Sequence, residues 1–522
     1  MPPGNQYKPL PPIDSVAPAI IKYWKQRKTD IWILDKLRTR HLDLTEYGMG
    51  LSSFVKMRES LGLYPSRTRK QGHDIESIRE AMVRLRLQYP KAGRKEISDL
   101  LFNEEGMSVS RNVITTYFAV YEPELVLQRR ANRLKRKRFW AAGVNDMWCV
   151  DQHDKWKYKF GLALHVGLDP FAGRYLWMKV YWTNSNPRLI LKYYLDVVEE
   201  LGFMPLISQS DPGVENFGLA NGHTLLRHMH DPSLVDTLQH RWMNEEKNVM
   251  PEIAWSQLRR RFTPGFEDIL DIGVNKGWYH PNILLESLVF RFVFIPWLQA
   301  ELDAYIQRLN NSQKRADRNK ILPHGVPNDI FENAEEYGAL DFKVRVHPHT
   351  IQQVRELYAP PSHPVFQLVP PDFNELAQQF YGQISDPPPQ VTRTNVWDIY
   401  LAILGRFEHL DSLHQTVTEL DDRWGYALTM ARDDYHEELE LMPNLQDLPE
   451  GTRNGGIYLG GVNNGLGLNV AQSNRLDDMM NRDLPLPHGS LDIVEVEAPF
   501  AVYSSDEEFD EEQVESLLTV GL

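Results

Sequence analysis

The spacing of apolar residues changes along the chain, and each change of period predicts a change of element. The run Met147, Trp148, Cys149, Val150 is too short for a helix and rich in strand formers, which predicts a strand with Asp151 at its end. Two more apolar runs, residues 161–168 and 175–182, are split by Asp169, Pro170, Phe171, Ala172 and Gly173, where Pro and Gly favour a turn. Together they predict a three-strand meander. Residues 187–201 place Leu189, Leu191, Leu195, Val198 and Leu201 near helical spacing, with Gly202 as a stop. Leu206, Ile207 and Ser208 predict a short buried strand that delivers Asp211 at its carboxyl end, before a Gly-containing loop where open α/β sheets keep their sites.

Upstream, residues 16–64 predict three short helices, around 17–28, 30–40 and 51–61, with Thr29 as a cap for the second. The third has a mixed polar and basic face that includes Lys56 and Arg58, as a recognition helix does. A second set follows at about 75–88, 94–102 and 110–121, with Arg111 opening its last helix. Two tandem helix-turn-helix units are expected, against the plainer reading of a helical bundle. Downstream, residues 284–309 predict a long helix that packs across the sheet and is kinked or broken at Pro296. Proline clusters at 359–364 and 387–390 bound a small accessory region, and residues 395–440 look helical and acidic, with Trp397, Ile399, Leu401 and Leu404 as the apolar face. From about 443 the chain is rich in Gly, Asn and Pro and ends in an acidic stretch, a composition that predicts disorder or a partner-binding segment.

These patterns divide the chain into residues 1–66 and 67–140 (all-α, the second with a basic linker), 141–340 (α/β core), 341–442 (helical accessory region) and 443–522 (tail). A length of 522 residues agrees with several domains. The opening residues do not read as a signal peptide and no run has the apolar length of a membrane span, so a soluble intracellular protein is expected. The single cysteine, Cys149, excludes an internal disulfide and reads as a packing residue. Charge alters the picture more than composition does. Residues 1–140 carry 27 Lys+Arg against 15 Asp+Glu, whereas the whole chain has a net charge of −14. A basic amino-terminal third on an acidic remainder is the electrostatic footprint of nucleic-acid binding. Residues 129–138 alone hold seven basic residues, among them Arg136, Lys137 and Arg138, which suit phosphate contacts or nuclear addressing. Lys314, Arg315, Arg318 and Lys320 are further candidates for DNA contact, or belong to a solvated loop.

Asp151 and Asp211 invite a third carboxylate, and Glu215, Glu245, Glu246 and Glu252 all follow. Pro251 selects Glu252. Proline is tolerated in a first helical turn, Ile253, Leu258 and Phe262 continue a helical pattern, and the helix dipole there favours an ionised carboxylate. Ser256 and Arg259, four and seven residues on, share that face and are candidates for contact with a phosphate backbone. Three carboxylates on two strands and a helix suit hard divalent cations, and a pair of ions roughly 3.5–4 Å apart supports in-line displacement at phosphorus. Among the neighbours, Asp154 points to the opposite sheet face, Asp169 reads as structural, and His153 reads as an ordinary polar strand residue more readily than as a group near metals. Glu215 and Asn216 either bind DNA or cap the loop.

At these residues the chain resembles the DDE transposases and retroviral-type integrases. The matching pieces are Asp151 on the first strand, the block Ser210, Asp211, Gly213, Glu215, Asn216 after the fourth, and Glu252 on the following helix, with separations of 60 and 41 residues. Over about residues 141–340 it is similar to fungal transposon-derived proteins with an integrase core domain. The resemblance implies an RNase H-like α/β core with a mixed five-stranded sheet. It also implies Asp151, Asp211 and Glu252 holding two Mg²⁺ (or Mn²⁺) ions for phosphodiester hydrolysis and strand transfer. Double-stranded DNA as partner, a homo-oligomer assembled on that DNA, no membrane and a nuclear location follow from the same resemblance. Two departures stand out: Pro212 occupies a position where the family usually carries a small polar residue, and one cysteine cannot build a His-His-Cys-Cys zinc module. The alternatives are a domesticated, catalytically silent DNA-binding descendant and another RNase H-type nuclease.

Overall fold

The computed structural model describes residues 8–66, 68, 71–90, 92–122, 141–243, 249–313, 322–409, 439–447 and 470. Helices α1 (Ile13–Lys25), α2 (Asp30–Arg40) and α3 (Leu51–Ser60) enclose Val16, Ile20, Tyr23, Ile33, Leu37 and Phe54 in a core of their own. Thr29 caps α2 by accepting from the Trp32 N–H at 3.3 Å. A second trio follows, α4 (Arg79–Gln88), α5 (Arg94–Asn103) and α6 (Arg111–Tyr121), with Ser110 capping α6. This trio is not set apart. Met82, Leu85, Leu100 and Phe118 belong to the same continuous apolar cluster as the sheet that follows.

Strands β1 (Met147–His153), β2 (Ala163–Asp169) and β3 (Arg174–Tyr181) form the expected antiparallel meander, with the short α7 (Lys157–Phe160) between the first two. Helix α8 (Pro187–Leu201) ends at Gly202, whose φ of 73° is the left-handed conformation that glycine adopts without strain. The two-residue β4 (Phe203–Met204), then β5 (Ile207–Ser210), α9 (Phe217–His230) and β6 (His240–Trp242) complete a mixed five-stranded sheet, in the order β3-β2-β1-β5-β6. β1 and β5 are parallel, with Met147 opposite Ile207 and Cys149 opposite Gln209. Continuing that register two residues sets Asp151 level with Asp211. Asp169 is structural, as expected: it accepts from the N–H groups of Asn145 and Ala172 at 2.7 and 2.8 Å and fixes the β2–β3 turn.

Helices α10 (Val249–Arg261), α11 (Thr263–Asn275) and α12 (Leu284–Asn311) cover the core. The expected break in α12 at Pro296 does not occur, because buried Phe294 and Trp297 on either side hold the turn by packing. α12 also guards the sheet edge. Gln299 accepts from Val180 N–H and donates to Met178 O, both at 3.0 Å, and Asn310 does the same for the N–H and C=O of Tyr175 at 2.8 Å. Two amide side chains thereby satisfy peptide groups that an edge strand would expose. Further on lie α13 (Pro327–Glu332), β7 (Val344–Arg345) paired antiparallel with β4, α14 (Pro348–Tyr358), α15 (Pro371–Gly382) and α16 (Val396–Glu408). Trp397 and Ile399 face inward, as predicted, and the Trp397 indole donates to Ile269 O at 2.8 Å. Residues 439–447 return to the core, where Gln446 accepts from Leu238 N–H and donates to Asp236 O, both at 2.9 Å. The basic run 129–138, Glu245, Glu246, Lys314, Arg315, Arg318, Lys320 and nearly all of the tail lie outside the described residues.

Close approach of α11 to α4 ties the second helical trio to the core: a Cβ on Gly265 would lie 1.9 Å from Gln88 O. Gly265→Ala should therefore destabilise the chain by about 1–3 kcal/mol through forced backbone displacement. Gly405, inside α16, has open space around its Cα, so Gly405→Ala should instead stabilise by roughly 0.5–1 kcal/mol. Thermal unfolding of both variants checks the pair, and a neutral Gly265→Ala would mean that the two helices are not in contact.

Candidate nucleic-acid interface on the core

Asp151 leaves the last part of β1, Asp211 follows the end of β5, and Glu252 sits in the first turn of α10, each on the element the sequence predicts. They are close enough to repel one another. Burial raises the Asp151 carboxyl first, and then repulsion from Asp211 and, more weakly, Glu252, pushing it from 3.8 up to about 7. What touches Asp151 is an aromatic side chain. The Trp255 indole N–H, three residues past Glu252 on α10, donates to Asp151 Oδ2 at 2.8 Å. His153 stacks on a face of that indole, with ring centroids 5.0 Å apart and an interplanar angle of 17°. Burial, aided by Lys155 and Arg259, lowers the His153 imidazole to about 4, so it is neutral at ordinary pH.

The loop after β5 is built from its own polar groups. Asn216 donates to Asp211 O at 3.1 Å, and Gln152, next to Asp151, donates to Glu215 Oε1 at 2.7 Å. Glu215 and Asn216 thus cap and tether the loop. Beneath it, His240 on β6 bonds Ser208 Oγ at 2.8 Å through Nδ1 and Ser210 Oγ at 3.0 Å through Nε2. Burial keeps this imidazole neutral, at about 3. Asp154 accepts from Asn184 at 2.8 Å and serves the β1–α7 turn.

The expected DNA-contacting residues fall into three groups. Arg259, Lys56 and Arg111 have exposed side chains, on α10, α3 and α6. Ser256 and Arg58 do not: Ser256 is 6 % exposed and Arg58 only 2 %. Arg58 pairs with Asp30 at 3.0 Å, donates to Leu63 O and lies over the Trp24 ring, so its guanidinium is used inside the first bundle. Both assignments are corrected by this burial. Arg136, Lys137 and Arg138 lie outside the described residues.

Residues 139–337 match the family model described as an integrase core domain. This part of the chain is an integrase core domain. It spans about two fifths of the sequence, and no curated protein matches the chain. The core has the mixed five-stranded sheet that the resemblance implies, but not the two-ion centre. Among the described residues, no three His, Cys, Asp or Glu side chains are grouped so that they could hold a metal ion. The assignment of Asp151, Asp211 and Glu252 as ligands of Mg²⁺ or Mn²⁺ is thereby overturned. With it falls the expectation of a DDE-type polynucleotidyl transferase performing hydrolysis and strand transfer. At Asp151 the contact the structure shows is to the Trp255 indole, which bonds Oδ2. The sequence reading missed Trp255. Its signal was a tryptophan on the inward face of a helix, one turn from the third acid, whose buried N–H had to find an acceptor.

With its carboxyl raised to about 7, Asp151 retains in the folded chain a proton that the unfolded chain gives up near 3.8. Its stabilising contribution is complete below about pH 4 and is lost as pH rises through about 7. Asp151→Asn should therefore gain stability relative to wild type at pH 8 compared with pH 5, by roughly 1–3 kcal/mol. Urea unfolding at the two pH values measures this difference. An equal effect at both would contradict the buried, repelled carboxyl.

Proposed function

We propose that the chain is a catalytically silent protein that binds double-stranded DNA and uses its integrase core as a scaffold. An integrase core implies nucleic-acid binding in general, and the basic amino-terminal third favours a phosphate backbone as the ligand. The observation that carries the reading is that the described residues group no metal-holding set in this integrase core, where Asp151 instead meets the Trp255 indole. Arg259 and Lys155 are exposed beside this site, while Lys56 and Arg111 are exposed on the helical units ahead of it. Such residues anchor a duplex by its phosphates and give affinity rather than sequence choice. The basic run at 129–138 suits a nuclear location, and the reading takes the chain as a descendant of a mobile element that assembles as a homo-oligomer on DNA.

Fluorescence anisotropy of the full chain with a labelled duplex tests this reading. Affinity should fall steeply as salt rises, since phosphate contacts release counterions, and should be the same in EDTA as in Mg²⁺. The duplex should remain intact on a denaturing gel. Arg259→Gln should weaken binding several-fold on every sequence tried. Binding that requires Mg²⁺, or cleavage of the duplex, would overturn the proposal.

A further inference from the structure

Much of the basic charge in the first 66 residues is paired with carboxylates of the core. Lys22 pairs with Glu332 at 2.6 Å, Lys28 with Asp329 and Lys36 with Glu336, while Arg40 reaches Glu336 at 3.1 Å and Asn333. The four cations come from α1, the turn after it and α2. Their partners all lie on α13 and the single turn that follows it, within the integrase core. Lys36 is 7 % exposed and Asp329 2 %, so part of this seam is closed to water. Asp329 also accepts from Asn333 Nδ2 at 2.7 Å and from the Tyr337 hydroxyl, which fixes its carboxylate toward Lys28. A second anchor is Arg27, which donates to Ser98 O at 2.6 Å, pairs with Asp99 at 3.3 Å and lies over Phe102. The apolar core of α1–α3 remains distinct from the large cluster that unites α4–α6 with the sheet. Charge therefore holds the first bundle to the rest of the chain more than apolar burial does.

We infer that this seam is a latch, in which Asp329, Glu332 and Glu336 occupy a phosphate-binding face of the first bundle and compete with duplex DNA for Lys22, Lys28, Lys36 and Arg40. The inference rests on the DNA-binding reading above and adds to it a surface and its regulation. Cations arranged to meet three carboxylates meet phosphate oxygens by the same charge-assisted hydrogen bonds. The outer pairs, such as Lys22–Glu332, are screened by salt and individually weak. A duplex gains counterion release when it takes the same cations, which three carboxylates do not match. Closed, the three carboxylates hold these cations and bury Lys36; on DNA, the bundle parts from α13 and presents them.

Carbodiimide coupling of the full chain reads the latch directly, since this reagent joins an amine to a carboxylate only in ion-pair contact. Amides between Lys22 and Glu332 and between Lys36 and Glu336, mapped by peptide mass spectrometry, report the closed state. A saturating duplex, with binding followed by anisotropy in the same samples, should reduce both several-fold. The Lys192–Asp196 pair on α8, at 2.5 Å, should be unchanged. The double variant Glu332→Gln, Glu336→Gln should bind the duplex several-fold more tightly at low salt, with the gain shrinking as salt rises. Crosslinks that persist on bound DNA, or a double variant with wild-type affinity, would overturn the latch and leave the DNA-binding reading standing. A chain that binds no duplex at any salt would fail that reading first and the latch with it.

Discussion

A single hydrogen bond across the sheet–helix boundary, from the Trp255 indole to Asp151, lies where the expected two-ion centre would stand, and the described residues group no metal-holding set there. Where β1 runs parallel to β5, two carboxylates meet at the strand ends, and α10 brings a third. Such an arrangement needs a counter-interaction, because like charges brought together under partial burial raise one another's pKa and destabilise the fold. A divalent cation is one solution. Here a neutral donor and partial protonation of Asp151 are used instead, with the indole held in place by the stacked, uncharged His153.

The packing around the site makes that substitution durable. α10 is positioned by the cluster of Phe262, Phe266 and Tyr305, and α11 presses Gly265 against the end of α4. Arg308, buried on α12, pairs with Glu104 from the second helical trio and lies over Tyr89. The core and α4–α6 thus share apolar and ionic contacts, and a helix that reads as part of a separate DNA-reading unit supports the sheet. α1–α3 keep a core of their own and meet the remainder largely through charged groups, with one ring contact between Trp24 and Phe102. One part of the molecule is fixed by burial and the other by interactions that salt and phosphate can replace.

Elements set by local pattern were legible in the sequence. The meander, the stop at Gly202, the cap at Thr29 and the placement of Asp151, Asp211 and Glu252 all depend on residues within a few positions of one another. The Trp255–Asp151 bond joins residues 104 positions apart, and nothing in either local pattern announces it. Arg58 reads as a surface cation until Trp24 and Asp30 are seen to enclose it. Pro296 reads as a break because the cost of one missing hydrogen bond is local, while the packing that outweighs it comes from elsewhere. The excess of positive charge over residues 1–140 shows in the sequence, but its pairing does not: Lys22, Lys28, Lys36 and Arg40 face carboxylates some 300 residues away in sequence.

The most direct test of the account is a titration of the full chain with Mn²⁺, with free ion read by electron paramagnetic resonance, on wild type and Asp151→Asn side by side. The account expects only weak binding that is the same for both proteins. One or two tightly held ions per chain, lost in Asp151→Asn, would contradict it and return the three acids to service as a metal centre.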